Sequence, residues 1–157
     1  MPDCIINLKP GRPHAVEKGN PWIYSDEIEN FAGTYDNGDI VEVRNAKGYF
    51  VGRGFINDQS RIAVRIMTRD ESEAVDRSLI RRRLHQAVAY RRDIMPDAQA
   101  YRLIYGESDF LPGLTVDRYG DYYVLQSLAL GIDRFKADVP GSQSRMDDAL
   151  RRAGGLD

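Results

Sequence analysis

The sequence predicts a mixed α+β fold, with a small β-barrel or sandwich first and a small α+β domain of strand, helix, strand and hairpin after it. Three observations carry this expectation. Residues 1–69 hold five or six short β-favouring runs separated by glycine-bearing turns. After Thr68 the hydrophobic period changes, and Ile80, Leu84, Ala87 and Val88 recur at helical spacing. Beyond Pro96, two strand-like runs flank Tyr119-Gly-Asp121, a hairpin signal.

In chain order, Pro21-Trp-Ile-Tyr24 is an aromatic, β-favouring run, and Asn37-Gly-Asp39 is a tight-turn signal before Ile40-Val-Glu-Val43. Ala46-Lys-Gly48 marks a turn before Tyr49-Phe-Val51, and the strand through Phe55 and Ile56 follows Gly52 and Gly54. In Ile62–Ile66 the alternation puts Ile62, Val64 and Ile66 on one face and Arg61, Ala63 and Arg65 on the other. Asp70 with Glu73 reads as a capping box for the helix, with Ser72 as an alternative N-cap. The helix stops before Pro96. Tyr101–Tyr105 is a strand, Leu114–Arg118 and Tyr122–Gln126 form the hairpin, and Gly131–Asp138 opens another helix. The remainder to Asp157 has few apolar residues and reads as a poorly ordered tail. The expected organisation is thus 1–69, 70–138 and a divergent 139–157.

Composition narrows the function classes. The chain has 157 residues, 42% of them hydrophobic, and a net charge of −2, which suits a globular protein. No apolar run reaches the roughly 18 residues of a spanning helix, and the N-terminus has no signal-peptide core, so a cytoplasmic location is expected. The single cysteine, Cys4, excludes an internal disulfide and a multi-cysteine zinc site. Lying beside the chain end and ahead of any core element expected, it is also a poor place for a positioned nucleophile. Of 22 cations, 18 are Arg, and Arg77–Arg92 holds six Arg and no acid. Arginine makes planar contacts to phosphate, so this run is either an electrostatic footprint for RNA or a solvated helix face.

Lys9, Arg12, His14 and Lys18 precede Trp22 and Tyr24, interleaving cations with aromatics as RNA-binding modules do. Trp22 itself is better read as a core residue. Arg53, Arg61, Arg65 and the Arg81–Arg83 face complete the candidate phosphate contacts. The acids Glu107, Asp109, Asp117 and Asp121 suggest an active-site rim, but turn and cross-strand uses explain them more simply. No strand, glycine-rich turn and helix unit for a nucleotide or methyl donor is present, and no metal-ligand set.

The segments LKPGRPHAVEKGNPWIYSDEIE (Leu8–Glu29), GDIVEV, GYFVGRGFIN, SRIAVRI and above all YRLIYGESDFLPGLTVDRYGDYYVLQ (Tyr101–Gln126) resemble the N-terminal half of class I S-adenosylmethionine-dependent large-subunit rRNA methyltransferases acting on cytosine C5. The resemblance covers roughly residues 5–138. It implies a PUA-like β-barrel that engages structured RNA, 23S rRNA in that family, and a central α+β domain. The Rossmann domain, with its methyl-donor site and the cysteine that adds to the base, would lie downstream of that domain and has no matching positions here. Val139–Asp157 no longer resembles the family, as a truncation, a frameshift or a split gene would leave it. On this reading no cofactor and no catalytic residue belongs to the chain, S-adenosylmethionine belongs to the full-length family, and a catalytic domain could act in trans. An alternative is an assembly module that docks a partner through Phe110, Leu111, Tyr122 and Tyr123.

Overall fold

The computed structural model describes residues 2–11 and 14–136, and the chain divides into two units, Met1–Val75 and Asp76–Asp157. The tail expected over 139–157 lies outside the described residues.

The first unit is a six-stranded sheet. Its strands are β1 (Cys4–Leu8), β2 (Trp22–Tyr24), β3 (Ile28–Gly33), β4 (Ile40–Arg44), β5 (Phe50–Ile56) and β6 (Ile62–Thr68). They run in the order β2-β6-β5-β4-β1-β3, with β1 and β4 parallel and every other pair antiparallel. The sheet curls into a half-barrel with β2 and β3 as its edges, where a barrel was expected. One face encloses the core, made by Ile6, Leu8, Val16, Ile23, Val41, Val43 and Val64, each at most 1% exposed. Cys4 belongs to this core at 1% exposure, so the chain start is an inner strand, contrary to the expectation that it precedes any core element.

Two other expectations about the strands need correction. Gly52 and Gly54 lie inside one continuous strand, where the sequence suggested a break. A Cβ on Gly54 would stand 2.0 Å from the carbonyl oxygen of Arg65, so glycine is there to let β6 approach. In β6 the simple alternation also fails, since Ala63 is buried at 2% while Ile62 is only half-buried. Register shifts at Ile23/Tyr24 and Arg53/Gly54, on either side of β6, break the two-residue period.

The helix α1 spans Arg77–Ile94. Its N-cap is Asp76, whose Oδ1 accepts from the Leu79 amide at 3.0 Å, and not Asp70 or Ser72. Asp70 instead closes a turn by accepting from the Ser72 amide at 2.8 Å. The segment to Val75 thereby stays with the first unit, where Arg53 donates to the carbonyls of Glu71 and Glu73. The second unit therefore opens on the helix and has no strand ahead of it. It continues with β7 (Ala100–Tyr105), β8 (Leu114–Tyr119), β9 (Tyr122–Ser127) and α2 (Leu130–Lys136). The three strands form an antiparallel sheet in the order β7-β8-β9, and α1 packs on β7. Leu79, Ile80, Leu84 and Ala87 of α1 are buried, as are Leu103, Ile104, Leu111 and Val116. Gly113, at φ +80, has the Ala129 Cβ where a side chain would begin, at 2.4 Å, which makes the Pro112-Gly113 turn specific for glycine.

Candidate nucleic-acid interface

The cations expected to meet RNA divide into those already engaged and those left at the surface. Arg53 is engaged. Its Nε and Nη2 donate to Glu42 Oε2 at 3.2 and 2.9 Å, and its Nη1 donates to Glu71 O at 2.8 Å and Glu73 O at 3.2 Å. Glu42 is only 6% exposed. Burial alone would raise its carboxyl pKa, but hydrogen bonds from Arg53 and Arg44 outweigh burial and hold it below the ordinary range. Arg53 thus serves the fold with all three of its nitrogens.

His14 is engaged as well. One ring nitrogen lies 2.9 Å from Glu27 Oε1 and the other 2.9 Å from the Lys9 carbonyl. Both partners are acceptors, which favours the doubly protonated ring. The Lys9 carbonyl, followed by the Glu27 carboxylate, raises the His14 pKa against a smaller opposing effect of burial. Asn45 and the His14 amide hydrogen-bond Glu17 and hold that carboxyl low. Arg12 lies outside the described residues.

Of the remaining candidate cations of the first unit, Lys9 and Arg61 meet the short 3-10 turn Ser25–Glu27. Lys9 Nζ donates to the Asp26 carbonyl at 2.7 Å, and the Ser25 amide donates to the Arg61 carbonyl at 3.0 Å. The Arg61 guanidinium stands 5.9 Å from the centre of the Tyr24 ring. Ile23 opposes Val64 across the β2–β6 pair, both fully buried, so Trp22 and Arg65, one residue along, stand together on the other face. Trp22 is half-buried there, and the core place expected for it belongs to Ile23. Arg69 Nη1 and Nη2 donate to the carbonyls of Val16 and Asn20 at 2.7 and 2.9 Å, which fixes the turn that carries exposed Lys18 against β2. Lys9 and Arg61 with Tyr24 thus stand by the Ser25–Glu27 turn, Arg65 pairs with Trp22 along β2 and β6, and Lys18 is carried on the turn packed against β2. The bracing role of Arg69 has no signal in the sequence, because its acceptors lie about fifty residues upstream.

In the second unit Arg81 and Arg82 are exposed, whereas Arg83 is half-buried and donates to the Phe110 carbonyl at 2.6 Å. Two arginines are bound to acids of the suspected rim. Arg91, only 8% exposed, donates to Asp109 Oδ1 and Oδ2 at 2.7 and 2.6 Å. Arg102 opposes Asp117 across β7 and β8, at 2.8 and 3.0 Å. Its hydrogen bonds hold the Asp117 carboxyl below the ordinary range. Of the rim's acids, Asp109 and Asp117 thus answer arginines, and Asp121 sits in the hairpin turn. Leu111 is fully buried, which removes it from any docking face. Among the described residues no group of His, Cys, Asp and Glu could hold a metal ion.

Residues 6–69 match the PUA-like domain family. Over 137 residues, 85% of the chain, the sequence is 42% identical to a ribosomal RNA large subunit methyltransferase I from Shewanella frigidimarina, and over 134 residues 40% identical to that of Aliivibrio fischeri. The chain spans about a third of the length of these curated relatives, 34% of each. Among solved structures, the fold matches a presumptive SAM-dependent methyltransferase from Streptococcus mutans with a TM-score of 0.69 at 15% identity, over 95% of this chain and 37% of that one. It also matches the presumptive methyltransferase SMU.776, solved with SAH, with a TM-score of 0.70 at 13% identity, over 95% of this chain and 36% of that one. The chain thus carries a PUA-like domain and, over most of its length, is similar to curated large-subunit ribosomal RNA methyltransferases.

Proposed function

We propose that the chain is the RNA-binding portion of a large-subunit rRNA methyltransferase, acting in the cytoplasm. It holds 23S rRNA while a catalytic domain, outside the described residues or in trans, methylates a cytosine at C5 with S-adenosylmethionine. The observation that carries this reading is 42% identity to a large-subunit rRNA methyltransferase over 85% of the chain. The cations Lys9 and Arg61 by the Ser25–Glu27 turn and Arg65 beside Trp22 support it. Such cations supply phosphate contacts without base readout, so binding weakens steeply with salt.

The test is a fluorescence-anisotropy titration of the chain against labelled structured rRNA fragments over a salt series. The double variant Arg61→Glu, Arg65→Glu is expected to weaken binding and to lower the salt slope by about one for each phosphate that is no longer neutralised. Absence of binding at low salt, or binding indifferent to salt, defeats the proposal.

A second reading, docking of a protein subunit, is favoured by one observation. Edge strand β9 and the residues after it expose Tyr122, Val124 and Leu128 at 78, 48 and 73%. Light scattering that shows a monomer, with no apolar-dye binding, counts against it.

A further inference from the structure

Phe110 is the one non-glycine residue with a positive φ among the described residues, at +58°. A bulky side chain in this region is an outlier, held only where the surroundings over-determine it. Here they do. The Phe110 amide donates to the Glu107 carbonyl at 3.1 Å, and its own carbonyl accepts from Arg83 at 2.6 Å. Asp109, one residue before, is gripped by Arg91 and also accepts from the Tyr105 amide at 2.7 Å. Leu111, one residue after, is fully buried, and its amide donates to the Gly106 carbonyl at 3.0 Å. Both neighbours are anchored, so the ring cannot turn inward.

Yet the ring held in this way is 68% exposed. Core packing gives no reason for the strain. Arg83 backs the ring, its guanidinium 6.0 Å from the ring centre. At the other end of the same four-residue turn, Tyr105 is 57% exposed and has the Arg102 guanidinium 5.2 Å from its ring centre. Two exposed aromatic rings, each with an arginine against it, therefore flank the turn Gly106–Asp109. The two nearby aspartates, Asp109 and Asp117, are each bound by an arginine, while Arg81 and Arg82 stay exposed on α1. With Glu107 of the turn counted, five arginines (Arg81, Arg82, Arg83, Arg91 and Arg102) stand against three acids (Glu107, Asp109 and Asp117), a balance that suits a polyanion.

We propose that this turn presents Phe110 and Tyr105 as stacking platforms for unpaired RNA nucleotides, with the exposed Arg81 and Arg82 supplying cations for the flanking phosphates. The inference rests on the RNA-binding reading above and adds to it a second contact, in the second unit, that selects single strands. Every base has a face to stack, so the platform is tolerant of sequence and intolerant of duplex.

The test uses the 157-residue chain. Its probe is a labelled single-stranded oligoribonucleotide with one 2-aminopurine, compared with the same sequence as a duplex. Phe110→Gly is the informative variant, because glycine accepts the positive φ and the fold is kept. Its Tm is expected to equal or exceed that of the parent chain, while single-strand affinity falls by about five-fold or more. Duplex affinity should change little, the quenching of 2-aminopurine should diminish, and Phe110→Trp should restore both. If Phe110→Gly and Tyr105→Ala bind single strands as the parent does, while the Arg61 and Arg65 variant is weakened, this inference falls and the first-unit reading stands. A lowered Tm accompanying the loss in Phe110→Gly marks the ring as structural and also overturns it. No RNA binding by the parent chain overturns both.

Discussion

Removing Asp109 should damage the second unit far more than removing Asp117, although each carboxylate faces one arginine in a two-pronged pair. The Asp109 side chain is 8% exposed and that of Arg91 10%. Asp109 accepts three hydrogen bonds, at 2.7, 2.6 and 2.7 Å, from Arg91 Nη1, Arg91 Nη2 and the Tyr105 amide. In Asp109→Ala the buried guanidinium keeps only its 3.3 Å bond to the Arg102 carbonyl. An uncompensated buried charge of this kind costs about 3–5 kcal/mol. With a urea m-value of about 1.5 kcal/mol/M, that lowers the unfolding midpoint by about 2 M or more. Asp117 differs, because Arg102 is 45% exposed and water screens that pair, so Asp117→Ala should unfold close to the parent midpoint. The assay is urea unfolding followed by far-UV ellipticity, which reports on α1. Replacing both partners, Arg91→Leu with Asp109→Leu, should recover much of the loss, giving a coupling well above that of the exposed pair. Equal midpoints for Asp109→Ala and Asp117→Ala would refute the argument that burial decides the value of these pairs.

Other outcomes follow from the first unit. His14 has a folded pKa above its unfolded value of about 6.5, so its contribution to stability is complete below that pH and is lost as pH rises through the folded pKa. His14→Gln should flatten the fall in unfolding midpoint over that window, and a ring-proton titration by NMR should place His14 above the ordinary histidine value. Gly54→Ala forces a Cβ to within 2.0 Å of the Arg65 carbonyl oxygen and should cost about 3 kcal/mol or abolish soluble expression. Arg53→Gln leaves buried Glu42 with Arg44 alone, at a cost of about 2 kcal/mol, and should leave the salt slope of RNA binding unchanged.

What the sequence determined by itself were the features written in local chemistry. The hairpin of β8 and β9 is legible because Gly120 and Asp121 suit a two-residue turn between alternating strands. The core stripe of α1 and its end before Pro96 follow from helical spacing and from the missing proline amide. The cations before Trp22 were visible as a composition. Tertiary structure decided what those residues do. Strands β1 and β3 owe their place to pairing with each other and with β4, and β1 lies at the chain start with no turn signal to announce it. Gly52 and Gly54 look like a break until the backbone of β6 comes against them. Arg53, Arg83 and Arg91 read in sequence as the same kind of residue as Arg61, Arg65 and Arg81. They differ only because acids and carbonyls distant in the chain reach them, and a charge so engaged no longer serves a ligand. Pairing across long separations is set by how the whole sheet and helix pack, and no local window of sequence contains it.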